Sequence, residues 1–352
     1  MCGILVVADS EISLDRRQFT EINDLMRHRG PDSGDVYIEK QVALGARRLR
    51  IHDLTTDSDQ PLSSRCGRYK IVFNGAIYNF RELRRDLEKR GYEFRTNSDT
   101  EVLLYGYIAE GANFVQRLEG MFAYAVYDLK EQEIALFRDH VGIKPLYYYS
   151  DSRVFIAASE IKPILAYPGI KAAVNKSVIP EFFAFQSVQP PDTLFKDIFV
   201  FPTGVYLKIQ VGGRHKPIFS SYWDIELSTS VNCSPELLEE ILLKNLDQCW
   251  KNDRDTGIQL SGGIDSSLIT AWSDRVLHVN PINSFSVIFD DSARKYYKPR
   301  SEEVYINQVA SKFGVVSNSS LFEATEIRSA LPMAIWHHEA PLTGPSTSLY
   351  YL

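Results

Sequence analysis

Cys2-Gly3-Ile4-Leu5-Val6-Val7-Ala8 opens the chain: a cysteine, a glycine, then a short apolar run that closes at Asp9. Removal of Met1 would leave a thiol and a free α-amine on one residue. Such an amine titrates near pKa ~7.7–8.0, so at physiological pH a useful fraction is neutral. It can serve as base for the thiol beside it, the logic of an N-terminal nucleophile. Deeper in the chain the same cysteine would lack that base. Duller readings compete. A single cysteine is commonly a small buried hydrophobe. A lipoprotein cysteine needs a signal peptide before it, and only Met1 precedes Cys2. The apolar run is shorter than a secretory core of ~7–15 residues and lacks a basic flank. Cys2 therefore gains weight only from partners downstream.

At 352 residues the chain has room for two domains. It is 44% hydrophobic and 24% charged, with no stretch approaching the ~18 apolar residues of a membrane span, so no membrane partner is expected. A net charge of −6 gives no reason to expect nucleic acid. Cys2, Cys66, Cys233 and Cys249 form no CxxC pair, and their spacing suggests neither a zinc site nor a disulfide framework. A reducing, cytoplasmic setting is the expectation.

Residues 1–165 alternate short strands with turns around two helices, 16–27 and 80–90, the second ended by Gly91. Strand-like runs follow at 134–137, 146–149 and 154–157. Pro190-Pro191, Pro202-Thr203-Gly204 and Gly212-Gly213 punctuate the middle. After Ser234-Pro235 the pattern changes to helix 236–250, strand 257–260, helix 266–277, strand 283–289 and helix 302–313. That alternation predicts a parallel α/β domain. The expected organisation is a first domain over 1–213, a linker over 214–233 and a second domain over 234–352.

Four segments give Cys2 its partners: Arg27-His-Arg-Gly-Pro-Asp32, Arg47-Arg-Leu-Arg-Ile-His-Asp53, Phe73-Asn-Gly-Ala-Ile-Tyr-Asn79 and Thr96-Asn-Ser-Asp-Thr-Glu101. Gly120-Met-Phe-Ala-Tyr-Ala and Arg138-Asp-His-Val-Gly-Ile-Lys-Pro-Leu146 extend the match. Together they resemble class II glutamine amidotransferases, and specifically the glutamine-dependent asparagine synthetases. The resemblance implies Cys2 as nucleophile and base, with the Asn74 side chain and the Gly75 N–H as oxyanion hole. Losing one such donor costs ~2.7–4 kcal/mol of barrier. It further implies Arg48 on the glutamine α-carboxylate, a bidentate geometry suited to guanidinium, and Asp99 on the α-ammonium. Backbone groups of Arg48, Leu49, Arg50, Ile51 and His52 line the same pocket in the family. Singly, each residue has another explanation: Asn74-Gly75 is also a hairpin-turn dipeptide, Asp99 a helix N-cap, and Arg48 a surface charge. One departure stands out. Where the family usually has Asn-Gly-Glu, the third residue here is Ala76, and loss of one charged partner weakens a contact by ~1.5–3 kcal/mol. A raised glutamine KM with a usable kcat is expected.

Leu260-Ser-Gly-Gly-Ile-Asp-Ser-Ser267 lies between an apolar strand and a helix. Small residues there let backbone N–H groups close around a pyrophosphate, helped by the helix N-terminus. The alternative is a structural turn with serine as cap. The octapeptide resembles the SGGxDS loop of ATP pyrophosphatases, which implies ATP contacts from Leu260, Ser261, Gly262, Gly263, Asp265, Ser266, Ser267 and the strand residue Val287. Asp265 would carry Mg²⁺. Family members continue into a Gly-Glu-Gly-x-Asp-Glu segment that supplies a second magnesium carboxylate; this sequence stops at Leu352. A terminus hydrophobic to its last residue is expected to need a covering partner. His337-His338 is not read as a metal pair, because neighbouring residues on a helix point apart.

The resemblance implies an αββα sandwich of the N-terminal nucleophile (Ntn) hydrolase kind, α+β in class, followed by an incomplete doubly wound α/β domain. It implies a reaction in which ATP and Mg²⁺ activate a carboxylate such as aspartate, and glutamine-derived ammonia makes the amide. The synthetase half is expected to be inactive or completed by a second polypeptide, in a homodimer or a mixed assembly. A stand-alone glutaminase and a non-catalytic paralogue that regulates a full-length synthetase are the alternatives.

Overall fold

The computed structural model describes residues 1–11, 15–213, 217–227, 234–277, 282–290 and 302–342. Cys233, part of the expected linker, and Leu352 lie outside the described residues. The chain divides into two compact units, Met1–Leu227 and Ser228–Leu352.

In the first unit the elements run β1 (Gly3–Asp9), α1 (Arg16–Asp24), β2 (Ser33–Glu39), β3 (Val42–Arg48), β4 (Leu62–Ser63), β5 (Tyr69–Ile77), α2 (Phe80–Lys89) and α3 (Asp99–Glu110). They continue as β6 (Gly120–Asp128), β7 (Glu133–Arg138), β8 (Tyr147–Ser150), β9 (Val154–Ala158), α4 (Ile161–Leu165), α5 (Ile179–Phe185), β10 (Phe199–Val200), β11 (Val205–Gln210) and β12 (Phe219–Ser221). The strands form two six-stranded sheets, ordered β10-β8-β9-β1-β3-β2 and β12-β11-β7-β6-β5-β4. The run after Cys2 becomes β1, antiparallel to β3 on one side and β9 on the other. Successive side chains of a strand point to opposite faces. Ile4, Val6 and Ala8 therefore meet Val72, Ala123, Ala125 and Leu136 of the other sheet, while Leu5 and Val7 pack on Phe19, Ile22 and Met26. The outer face of the second sheet places Ile71, Phe73 and Ile77 under Phe80, Leu83, Leu87 and Leu104. The layers are thus helix, sheet, sheet, helix, the αββα arrangement expected.

Two differences from the sequence reading have physical causes. Helix α1, started by an Asp15–Gln18 capping box, stops at Asp24 rather than residue 27. Beyond it the amides of Met26, Arg27 and Arg29 bond three residues back, a tight spiral that carries the chain through His28 and Arg29. Helix α3 was not among the two expected helices. Every residue from Asp99 to Tyr107 is buried, so it has no polar face and no amphipathic period to read.

The second unit contains α6 (Pro235–Trp250), β13 (Gly257–Gln259), α7 (Ile264–Leu277), β14 (Asn283–Phe289), α8 (Glu303–Phe313), β15 (Val316–Phe322) and α9 (Ala324–His338). The three strands are parallel in that order, the α/β class expected. The polar run Ser317-Asn-Ser-Ser320, which carries no strand pattern, nonetheless pairs along β14. His337 and His338 fall in the last turn of α9. Among the described residues no group of His, Cys, Asp and Glu is placed to hold a metal, and no helix is long and apolar enough to cross a membrane.

Candidate active site

Cys2 sits at the mouth of the central strand β1, and the segment leaving β3 wraps over it. Its Sγ accepts from the Leu49 N–H at 3.4 Å, and the thiol donates to the Leu49 carbonyl at 3.6 Å. Burial pushes the thiol above its ordinary value, against the pull of the Leu49 amide, the terminal ammonium and Arg48. The terminal amine at Met1 is shifted the other way, below its ordinary value, chiefly by burial. That amine belongs to Met1, and the nitrogen of Cys2 is here a peptide amide.

The loop after β3 is clamped by Arg48. Its guanidinium donates to Thr55 O (3.1 Å), Asp59 Oδ1 (2.8 Å), His52 O (2.9 Å) and Asp53 O (2.7 Å). Four of the five guanidinium donors are thereby used to hold this loop. Arg50 forms a bidentate pair with Asp59, at 3.2 and 2.6 Å, and its N–H donates to Asp32 at 2.9 Å. Ile51 is half-buried beside it. The His52 ring packs on Phe80 at 5.1 Å, and its Nδ1 is buried without a partner.

Asn74 and Gly75 lie inside β5, paired with Ala123 and Phe122 of β6, so they are strand interior and not a hairpin turn. A Cβ on Gly75 would stand 2.2 Å from the Met121 carbonyl, a contact that only glycine avoids. Asn74 is wholly buried. Ala76 follows on the same face of the strand as Asn74 and is also buried. Asp99 is the first residue of α3, which Ser98 caps. Its Oδ2 accepts from the Ile77 N–H at 3.0 Å. Burial pushes its carboxyl above the usual range, opposed by His52, by the amides of Ile77 and Thr100, and by Arg48.

Beneath Cys2 lies a cluster in which His28 and Arg29, quoted above only as part of a motif, meet Glu160 and Lys162, which the sequence reading did not single out. Arg29 Nε donates to the Cys2 carbonyl at 2.9 Å, and its NH1 donates to Glu160 Oε1 at 3.1 Å. His28 Nε2 lies 2.8 Å from the same oxygen, and Lys162 donates to Oε2. Although burial alone would raise Glu160, hydrogen bonds from His28 and Lys162 bring its carboxyl down to about 2. The one available signal was the polar pair Ser159-Glu160 directly after an apolar strand.

In the second unit residues 260–263 join β13 to α7, whose first turn carries Asp265, Ser266 and Ser267. Leu260 is buried with Ile306, Ala310 and Val315, and its N–H donates to Phe285 O at 2.9 Å. Gly262 has φ +78°, the left-handed region. Ser261 and Ser266 join Oγ to Oγ at 3.1 Å, and the Gly263 N–H donates to Ser261 Oγ at 3.3 Å. Ser261, Gly263 and Asp265 are exposed, Ser266 and Ser267 half-buried. Val287 lies in β14, opposite Ser320 of β15.

A family model described as a glutamine amidotransferase domain matches residues 1–223, and one described as asparagine synthase matches residues 237–352. The chain belongs to the glutamine-hydrolysing asparagine synthetase family. Asparagine synthetase (glutamine-hydrolyzing) 1 of Bacillus subtilis is 30% identical over 361 residues, covering 100% of this chain and 55% of that protein. Asparagine synthetase (glutamine-hydrolyzing) 3 of the same organism is 29% identical, covering 97% and 57%. Asparagine synthetase B of Escherichia coli is 32% identical over 275 residues, covering 77% and 44%. The chain spans about half the length of these relatives.

Proposed function

We propose that residues 1–213 hydrolyse the side-chain amide of glutamine, and that residues 234–352 belong to an ATP-dependent site that delivers the ammonia to a carboxylate such as that of aspartate. The observation that carries the first half is convergence. Cys2, directly before β1, bonds to Leu49 of the Arg48–His52 segment and feels the charges of Arg48 and Asp99, and Asp99 accepts from Ile77 of β5, the strand that carries Asn74 and Gly75. In this reading the thiol adds to the glutamine amide carbon and its proton passes to the α-amine. Asn74 and Gly75 hold the oxyanion while the amine returns the proton to the departing ammonia. Water then cleaves the thioester to give glutamate.

For the second half, the left-handed glycine and the solvent-facing serines of segment 260–267 suit the close approach of a pyrophosphate. Ser261, Gly262, Gly263, Ser266 and Ser267 would hold the phosphates of ATP, with Leu260 through its backbone and Val287 on the nucleoside side. Asp265 would hold Mg²⁺. Bound ATP supplies the activation that makes a carboxylate oxygen a leaving group. A cytoplasmic setting and a partner copy or complementing polypeptide complete the proposal.

Two assays test it: glutamate release from glutamine, and carboxylate-dependent ATP–pyrophosphate exchange. Both activities are expected, the second in the presence of whichever polypeptide completes the site. Glutamate release with no exchange under any complementation would leave a stand-alone glutaminase. Absence of both from a chain that begins at Cys2 would leave a regulatory role.

Ala76 yields a separate prediction. Ala76→Glu restores a carboxylate on the face of β5 that carries Asn74. It is expected to lower the glutamine KM about tenfold or more, from the ~1.5–3 kcal/mol of one charged hydrogen bond, with kcat little changed. Steady-state kinetics check it; an unchanged KM removes the position from the substrate's grip.

A further inference from the structure

We propose that Ser159 is a positioning residue for the oxyanion hole: its hydroxyl donates to Asn74 Oδ1 and so leaves Asn74 Nδ2 free to face the reacting carbonyl. The inference rests on the glutaminase reading. Ser159 follows directly on β9, and its Oγ accepts from the Ile4 N–H at 3.0 Å and from Asn74 Nδ2 at 3.4 Å. Its own N–H donates to the Ile4 carbonyl at 3.0 Å. Ile4, Asn74 and Ser159 are all fully buried. A hydroxyl offers one proton and two lone pairs. In this arrangement both lone pairs receive donors and the proton has no acceptor. At the same time Asn74 Oδ1 is buried without a partner.

One half-turn of the Asn74 amide resolves both deficits. Oδ1 then accepts the Ser159 proton, closing from 3.4 Å toward the ~2.8 Å of an O–H···O bond. Nδ2 takes the place that has no protein partner. A buried N–H with nothing to donate to suits a developing oxyanion, whereas a carbonyl oxygen there would repel it. The connectivity fits the role. Ile4 lies two residues beyond Cys2 in β1, and Asn74 lies in the facing sheet, so a single hydroxyl ties the strand of the nucleophile to the strand of the oxyanion donor.

The rival role is structural, satisfaction of the Ile4 amide alone, and a double-substitution cycle separates the two. Glutamate release is measured for the unsubstituted chain, Ser159→Ala, Asn74→Ala and the double variant, together with the rate of Cys2 alkylation by iodoacetamide. Ser159→Ala is expected to lower kcat about 10–100-fold, within the ~10²–10³ that an oxyanion donor contributes. Glutamine KM should stay within about threefold, because the oxyanion exists only beyond the ground state, and Cys2 should alkylate at the unsubstituted rate. On the Asn74→Ala background the same change is expected to slow release less than about threefold, since there is no amide left to orient. Ser159→Cys, with a weaker donor in the same place, should fall between serine and alanine. It carries the cycle if the alanine variant does not fold. An unslowed Ser159→Ala, or equal slowing on both backgrounds, overturns the inference and leaves the glutaminase reading intact. No glutamate release from the unsubstituted chain overturns both.

Discussion

A chain that begins at Cys2 is expected to release glutamate from glutamine, and its Cys2→Ala counterpart none above background. The same chain with Met1 retained, its removal blocked by an N-terminal extension, is expected to be slower by about 10²–10⁴, the usual contribution of a positioned base. Burial holds the Cys2 thiol protonated, so few molecules present a thiolate unaided. An α-amine on Cys2 itself titrates near ~7.7–8.0, so a useful fraction is neutral at physiological pH and can take the proton. With Met1 in place the nitrogen of Cys2 is a peptide amide with no basicity. Intact-mass spectrometry establishes which form is present, and glutamate release is compared at equal active-site concentration. Equal rates for the two forms would place the base elsewhere.

The second large effect is expected on stability. Glu160→Gln should destabilise the first unit by about 3–5 kcal/mol, because it leaves Arg29 and Lys162 buried without their carboxylate. For a unit of this size that corresponds to a melting point lower by about 6–20 °C. The pH dependence has a definite sign. The folded Glu160 carboxyl is held down to about 2 against an ordinary 4.5, so its contribution is complete above pH ~5. It drains away as the pH falls toward 2, in total about 3 kcal/mol. The difference between the natural and substituted chains should therefore be widest near neutrality and shrink on acidification. A difference independent of pH would mean that Glu160 contributes packing rather than charge. Arg29 also holds the Cys2 carbonyl, so glutamate release should fall along with stability.

Much of the candidate site could be named from the sequence because the proposed chemistry calls for particular residue types at particular places. It asks for a terminal thiol at Cys2 and an amide at Asn74, while at Gly75 the fold itself excludes a Cβ, which would stand 2.2 Å from the Met121 carbonyl. What the sequence concealed was the support. Glu160, Arg29 and Ser159 act through partners up to 155 residues distant, and nothing local in a sequence reports such a pairing. The Arg48 guanidinium read as a substrate ligand, while the geometry shows it also fastening the loop carbonyls of His52, Asp53 and Thr55. The fold divides along the same line. Strands with one neighbouring polar face were readable, as was the strand–helix alternation after Ser234. Helix α3 showed only in the reading of Asp99 as a helix N-cap, because burial on every side removes the polar residues that mark a helical period.

The place of β1 in its sheet also sets an order of events in time. It is synthesised well before one of its two neighbours, β9, which pairs through Val154–Ala158. At ~5–20 residues per second, about 7–30 s separate the two during translation. Throughout that interval β1 is a half-paired edge, and the Met1–Cys2 peptide is open to an aminopeptidase. Met1 stays exposed after β9 has docked and the Arg48 loop has closed over the thiol, so the strand order delays the pocket around Cys2 without hiding the residue that precedes it.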